Sequence, residues 1–405
     1  MAEHPSSETW SDEPEITASS SISNYCNIPR QFIALSYDIN IVHRVESAFL
    51  GILELRIYIP LAKDSTTLCM GVLQGSVLGP TLWNLLYDGV LEAARGMESR
   101  LVAYADDLAA VVTGDTKRKM VENANKVLSA VDAWMRDHSL NLAPEKTEAI
   151  LLTGMRRAPG LAFNLGGTII MPKKEVKYLG VTIDKGRTFG PHVQKICDKA
   201  ERTAVALAKL MPNIGGPRQQ KRVVMARVVE SGMLYAASIW ADAVQIGRYR
   251  ERLLKAQRKM TLRIASAYRT VSTDAAGVIA GVLPMDLMVE QRRECHMSVQ
   301  RGMEVKEAKK VSRERAHAKW QERWNASTKA AWTRRLIPEI DKWLGRRHGE
   351  VCYQTTQFLH RMAASGCTCT ELGSAARKIV YIARVETPQN TLSLLVRDGR
   401  RKGPK

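Results

Sequence analysis

Leu101-Val102-Ala103-Tyr104-Ala105-Asp106-Asp107-Leu108-Ala109-Ala110-Val111-Val112 is the stretch whose reading decides the fold. Two apolar runs of strand length flank a pair of acids, which predicts a β-hairpin presenting two carboxylates at its tip. Most adjacent aspartates are solvated turn residues. Aspartates carried between two buried strands differ, because the strands fix the position of the carboxylates. Nucleotidyl transfer uses two Mg²⁺ ions about 4 Å apart. Mg²⁺ keeps several waters, so a few carboxylates plus substrate phosphates suffice as ligands. A metal-dependent phosphatase or nuclease would need further His or acidic ligands near Asp106, and the neighbouring sequence offers none.

Outward from the hairpin, Leu82, Leu85, Leu86, Val90 and Leu91 recur at helical spacing after Gly79-Pro80, a dipeptide suited to opening a helix. On the other side Met120, Ala124, Val127, Leu128, Val131, Trp134 and Met135 predict an amphipathic helix ending near His138. A strand is expected over Ala149 to Thr153, and hairpin geometry through Gly166-Gly167 and from Val176 to Ile183. Short apolar runs between Ile33 and Pro60 suggest strands or a helix–strand pair. Beyond Pro191 the chain turns to long, Ala-rich, basic helices, broken at Asn213 to Pro217 and near Pro284. The last fifty or so residues show weak periodicity, and no internal repeat is visible.

Composition adds a partner class. The 405 residues carry a formal net charge of +19. Such an excess of cations attracts a polyanion, since phosphate contacts release condensed counterions. Residues 292–347 hold 16 Lys or Arg against 7 Asp or Glu, with Trp320, Trp324, Trp332 and Trp343 interleaved. Aromatics among cations suit base stacking, but helix packing is the expectation for most of them. Seven scattered cysteines do not make a disulfide framework and fit a reducing compartment. The first basic residue is Arg30, after five acids, which excludes a secretory signal. No apolar run approaches the roughly 20 residues of a membrane span. An intracellular protein without a membrane partner is expected.

The neighbours of the acidic pair carry a family resemblance. Gly71-Val72-Leu73-Gln74-Gly75-Ser76-Val77-Leu78-Gly79-Pro80-Thr81-Leu82-Trp83-Asn84 resembles the substrate-positioning motif of non-LTR retrotransposon reverse transcriptases, in particular the site-specific lineages of insects. Tyr104-Ala105-Asp106-Asp107 is similar to their catalytic YADD box, Leu140 to Glu148 to the following lysine motif, and Val176-Lys177-Tyr178-Leu179-Gly180-Val181 to the primer grip. The likeness continues through Tyr268-Arg269-Thr270-Val271-Ser272 and Trp320 to Trp324, covering roughly residues 44–360. It implies an α+β fold: a partial polymerase palm, with an antiparallel sheet packed on helices, then an α-helical thumb and a basic helical C-terminal region. The expected division is an acidic, Ser-rich disordered tail over 1–30, partial fingers and palm over 31–190, thumb over 191–290 and a basic Trp-containing region over 291–405.

The resemblance also assigns roles. Asp106 and Asp107 would bind catalytic Mg²⁺, and Lys146 would give a proton to departing pyrophosphate. Gln74, Gly75, Ser76 and Tyr104 would contact template, primer end and incoming nucleotide, while Tyr178, Leu179 and Gly180 would hold the primer. RNA template, DNA primer and dNTP are the implied partners, and the nucleus the implied location. The family's first catalytic aspartate, followed by Asn-Ala-Phe, is not found. Asp38 has apolar flanks but lies too close to Gln74 and lacks that continuation. Leu73 stands where the family has proline. The preceding fingers, the endonuclease domain and a C-terminal zinc knuckle are not recognised either; Cys352, His360, Cys367 and Cys369 have the wrong spacing. The expectation is a reverse transcriptase with an incomplete metal site. The alternative is a noncatalytic nucleic-acid-binding remnant or co-opted element protein. Neither the oligomeric state nor the target is readable.

Overall fold

The computed structural model describes residues 27–28, 30–36, 77–153, 160–346 and 350–360, so Gln74, Gly75, Ser76, Asp38, Cys367 and Cys369 lie outside the described residues. The chain splits into two compact units, Met1–Arg187 and Thr188–Lys405.

The first unit begins with β1 (Asn27–Ile28), β2 (Arg30–Ser36) and α1 (Gly79–Glu92). The acidic stretch then forms β3 (Ser99–Tyr104) and β4 (Asp107–Thr113). Leu108, Ala109, Ala110, Val111 and Val112 of β4 are all buried, as a strand inside a sheet covered on both faces should be. Helix α2 (Lys117–Asp137) follows, with Thr116 capping it by accepting from the Lys119 N–H. Its buried face is Met120, Ala124, Val127, Leu128, Val131 and Met135, and His138 is the C-cap, as the apolar spacing predicts. Between β4 and α2 sits Gly114, where a Cβ would lie 2.6 Å from the backbone nitrogen of Met120. No other residue permits that close turn without moving backbone.

Next come β5 (Asn141–Leu142), a 3₁₀ turn over Pro144–Lys146, and β6 (Glu148–Leu152). β7 (Phe163–Leu165) and β8 (Thr168–Ile170) form the expected glycine hairpin, with Gly166 and Gly167 both at positive φ. β9 (Pro172–Lys173), β10 (Glu175–Tyr178) and β11 (Val181–Asp184) complete the unit.

The main sheet corrects one expectation. Its order is β3-β4-β2-β6-β9, and it is mixed, not antiparallel. Only β3 and β4 pair antiparallel within it; β2 runs parallel to both β4 and β6, and β6 parallel to β9. The reason is the crossover: α2 carries the chain back to the end where β4 began, so β6 runs in the same direction. Asn27–Ile28 and Arg30 are strand, paired with β5 and β4, because a neighbouring strand supplies hydrogen-bond partners whatever the local composition. On α1, Tyr87 and Val90 are buried while Leu85, Leu86 and Leu91 are exposed, so only part of its apolar stripe meets this core.

The second unit is helical among its described residues: α3 (Gly190–Ala208), α4 (Gln219–Met233), α5 (Ala237–Trp240), α6 (Gly247–Ile264), α7 (Thr273–Ala280), α8 (Met285–Gln300), α9 (Val305–Ala326), α10 (Ala331–Leu336), α11 (Ile340–Leu344) and α12 (Tyr353–Leu359). Both expected breaks are present, since Asn213 to Pro217 separates α3 from α4 and Pro284 precedes α8. Small buried residues such as Ala200, Ala226, Ala256 and Ala276 let the helices approach closely. Trp320, Trp324 and Trp343 are buried packing residues, and the Trp324 indole N–H donates to the Ile337 carbonyl at 2.8 Å. They are therefore walls of the helical core and no platform for stacked bases.

Candidate active site at the hairpin tip

The register Tyr104↔Asp107 leaves Ala105 and Asp106 as a two-residue turn. Asp106 and Asp107 are both half-buried, and Tyr104 is 48% exposed beside them. Ala105 has φ 51°, at the first central position that primed hairpin turns favour for glycine. A side chain there costs roughly 1–2 kcal/mol. A brace from α1 offsets it: the Trp83 indole N–H donates to the Ala105 carbonyl at 2.8 Å. Trp83 stacks on Tyr87 with centroids 5.1 Å apart, Tyr87 meets Trp134 edge-on, and Trp134 stacks on His138. The acidic turn thus rests on an aromatic ladder that joins α1 and α2.

Tyr87 is the residue the motif reading missed. Burial, then the charges of Asp106, Asp107 and Tyr178, push its phenol well above the ordinary range, so it stays protonated. Its hydroxyl is buried without a hydrogen-bond partner. The only sequence signal was two aromatics four apart, Trp83 and Tyr87, which share a helix face.

The hairpin of β10 and β11 comes to the same place. Leu179 and Gly180 form its two-residue turn with φ of 42° and 85°. Tyr178 is buried, and its phenol is pushed up by burial and then by Asp107. So Tyr178 of this second segment lies within electrostatic reach of the acidic tip. Lys146 is exposed at the end of the 3₁₀ turn, two residues before β6. β6 is separated from β4 by β2 alone, and Arg30 of β2 stands opposite Asp107 while Phe32 stands opposite Glu148. With strands about 4.8 Å apart, Lys146 emerges at the same sheet edge as Asp107, on the order of 10 Å across it.

Among the described residues no three His, Cys, Asp or Glu side chains gather as a metal-binding group. Asp106 and Asp107 themselves supply hard oxygen donors, the ligand type Mg²⁺ takes.

Comparisons with known proteins place the chain in a family. The model of the family described as reverse transcriptase (RNA-dependent DNA polymerase) matches residues 42–183. A Pol polyprotein from the type-1 retrotransposable element R1 of Nasonia vitripennis is 30% identical over 64% of this chain and 82% of its own length. A second R1 polyprotein of that wasp is 29% identical over 68% of this chain and 72% of its own. The RNA-directed DNA polymerase from the mobile element jockey of Drosophila funebris is 26% identical over 49% of this chain and 22% of its own. No solved structure matches. An aspartate pair on a hairpin tip braced by Trp83 and these relatives point one way: the chain belongs to the reverse transcriptases of insect non-LTR retrotransposons.

Proposed function

We propose that this chain binds a primer–template and that its nucleotidyl transfer is weak or lost, because the first metal-binding aspartate motif is not recognisable in its sequence. The observation that supports the reading is a hairpin tip carrying Asp106 and Asp107, with Tyr178 of the next hairpin within electrostatic reach of Asp107. Reverse transcriptases as a family act on a nucleic-acid template and primer. In this reading Asp106 and Asp107 hold Mg²⁺, which when bound neutralises charge on the attacking and leaving oxygens. Tyr104 offers its exposed ring to the incoming nucleotide and primer end. Tyr178, Leu179 and Gly180 hold the primer strand, where a left-handed glycine lets backbone approach the sugar-phosphate closely. Gln74, Gly75 and Ser76 contact template and nucleotide. Lys146, exposed at the same sheet edge, gives its proton to the departing pyrophosphate.

Tyr87 adds a support to this set. Its buried hydroxyl, unpartnered in the structure and within electrostatic reach of both carboxylates, stays protonated beside the acidic tip. Extension of a DNA primer on an RNA template with Mg²⁺ and dNTPs tests the proposal. Little or no incorporation is expected from a protein that still binds the primer–template. Robust extension, abolished by Asp106→Ala, overturns the incompleteness and requires a third ligand elsewhere in the chain.

A further inference from the structure

The second unit contains a cleft of about 320 Å³ bounded by the segment from Thr270 to Ala275, the turn before α10 and the end of α12. Thr270 and Ser272 belong to the Tyr268-to-Ser272 motif, whose role the palm chemistry does not account for. Two guanidiniums outside the lining hold backbone next to it. Arg258 donates to the carbonyls of Arg269 and Val271 and to the Thr273 hydroxyl. Arg334 donates to the carbonyls of Trp324 and Ser327. Neither forms an ion pair, so both charges remain uncompensated by a carboxylate among the described residues. The nearby acid, Asp274, accepts from the Ser327 hydroxyl at 2.6 Å.

Inside the cleft the polar groups divide in two. The Trp332 indole N–H and the Thr333 hydroxyl donate to the carbonyls of Phe358 and Leu359, closing one wall. Lys329 stands exposed on the rim with no ion pair among the described residues, and His360 Nε2 is buried with no hydrogen-bond partner. A buried imidazole nitrogen without a partner is destabilising, and a ligand oxygen would satisfy it. The volume is at the small end of ligand pockets, and Lys329 is the cation in its lining.

We propose that this cleft binds one phosphodiester of a nucleic-acid strand, with the phosphate between Lys329 and His360 Nε2 and its sugar along Trp332. The site rests on the reading that the chain binds nucleic acid, and adds to it a strand contact made by residues of the second unit. Burial lowers the free His360 imidazole to about 4, so at neutral pH it is uncharged and meets the phosphate as an N–H donor. A phosphate held there stabilises the protonated ring and raises that value.

The test uses the full chain and a fluorescent 12-nucleotide oligouridylate, with anisotropy read across a KCl series. Lys329→Gln should weaken binding severalfold and reduce the slope of log K against log salt by about 0.7, one single-strand phosphate contact. Lys310→Gln, an equal charge change on exposed α9, should leave that slope near wild type. By NMR, the oligonucleotide should raise the His360 titration in wild type and less so in Lys329→Gln. Equal slopes for the two variants, or an unmoved His360, overturn the cleft while leaving nucleic-acid binding intact. A His360 shift of equal size with millimolar inorganic phosphate would make it a free-anion site and sink the strand contact. Absence of any salt-dependent binding by wild type would remove both the cleft and the broader reading.

Discussion

The two units hold their charges in opposite ways. In the first, the described ion pairs lie at the surface, most of them one turn apart as in Arg118–Glu122 and Lys119–Asp115, with Lys173–Glu148 joining β9 to β6, and the sheet interior is apolar. In the second, charge runs through the interior. Arg222 is 3% exposed and donates to the carbonyls of Met211, Pro212, Pro217 and Arg263 without a carboxylate partner. Asp286, 2% exposed, takes both terminal nitrogens of Arg323 at 3.0 and 2.7 Å. Glu230 is buried too, its carboxyl pushed up by burial and held down in part by Arg227.

The difference follows from the kind of secondary structure. A strand slipped by one residue turns its apolar set to the wrong face, so the pleat fixes register without polar help. Alanine-lined helices can slide past one another at small cost. Directional groups that must find particular carbonyls remove those alternatives, and Arg222 ties the loop before α4 to the end of α6 in this way.

Three measurements would break or sharpen this contrast. The largest effect is expected from Arg222→Met, which leaves several buried carbonyls unpaired and should cost roughly 3–4 kcal/mol in denaturant unfolding. A loss under about 1 kcal/mol would mean that packing alone sets the helix arrangement.

Acid comes next. Burial, followed by Lys195, lowers His192 in α3 to about 4, against about 6.5 in an unfolded chain. Between these values the unfolded state takes up the proton and the folded state does not. Stability is therefore full above about pH 6.5 and falls as the pH drops toward 4, by about 2–3 kcal/mol for this group. His360 acts in the same direction. His192→Gln should flatten that part of the profile, and an unchanged profile would show that the ring does not control acid sensitivity.

The smallest effect is expected in the first unit. Trp83→Phe keeps the ring but loses the bond to Ala105, at about 1 kcal/mol. Hydrogen exchange should quicken at the hairpin tip while α2 keeps its protection. Faster exchange spread equally over α2 would mean that the indole supports the whole core and not the turn.

Much of the first unit was legible because periodicity and turn chemistry are local. The doublet Asp106-Asp107 between apolar runs, the stripe of α2 and the glycines at 166 and 167 each carry their structure within a few residues. Strand direction was not legible. The parallel pairing of β2 with β4 and β6 joins segments more than 70 residues apart, and no local pattern encodes it. The tryptophans of α9 illustrate a different limit. Their spacing announces a shared face, but the same face could stack bases or pack helices, and only the buried contacts distinguish the two.

By itself the sequence determined the hairpin with its two acids, the helices beside it, the basic helical second half and the family, because each depends on residue types at short spacing. Tertiary structure alone decided that Tyr87 is buried within electrostatic reach of those acids, that Trp83 braces their turn, that the sheet is mixed, and that Lys329 and His360 share a cleft. Those facts join residues far apart in the chain, and burial and unmet hydrogen bonds arise only once such residues are brought together.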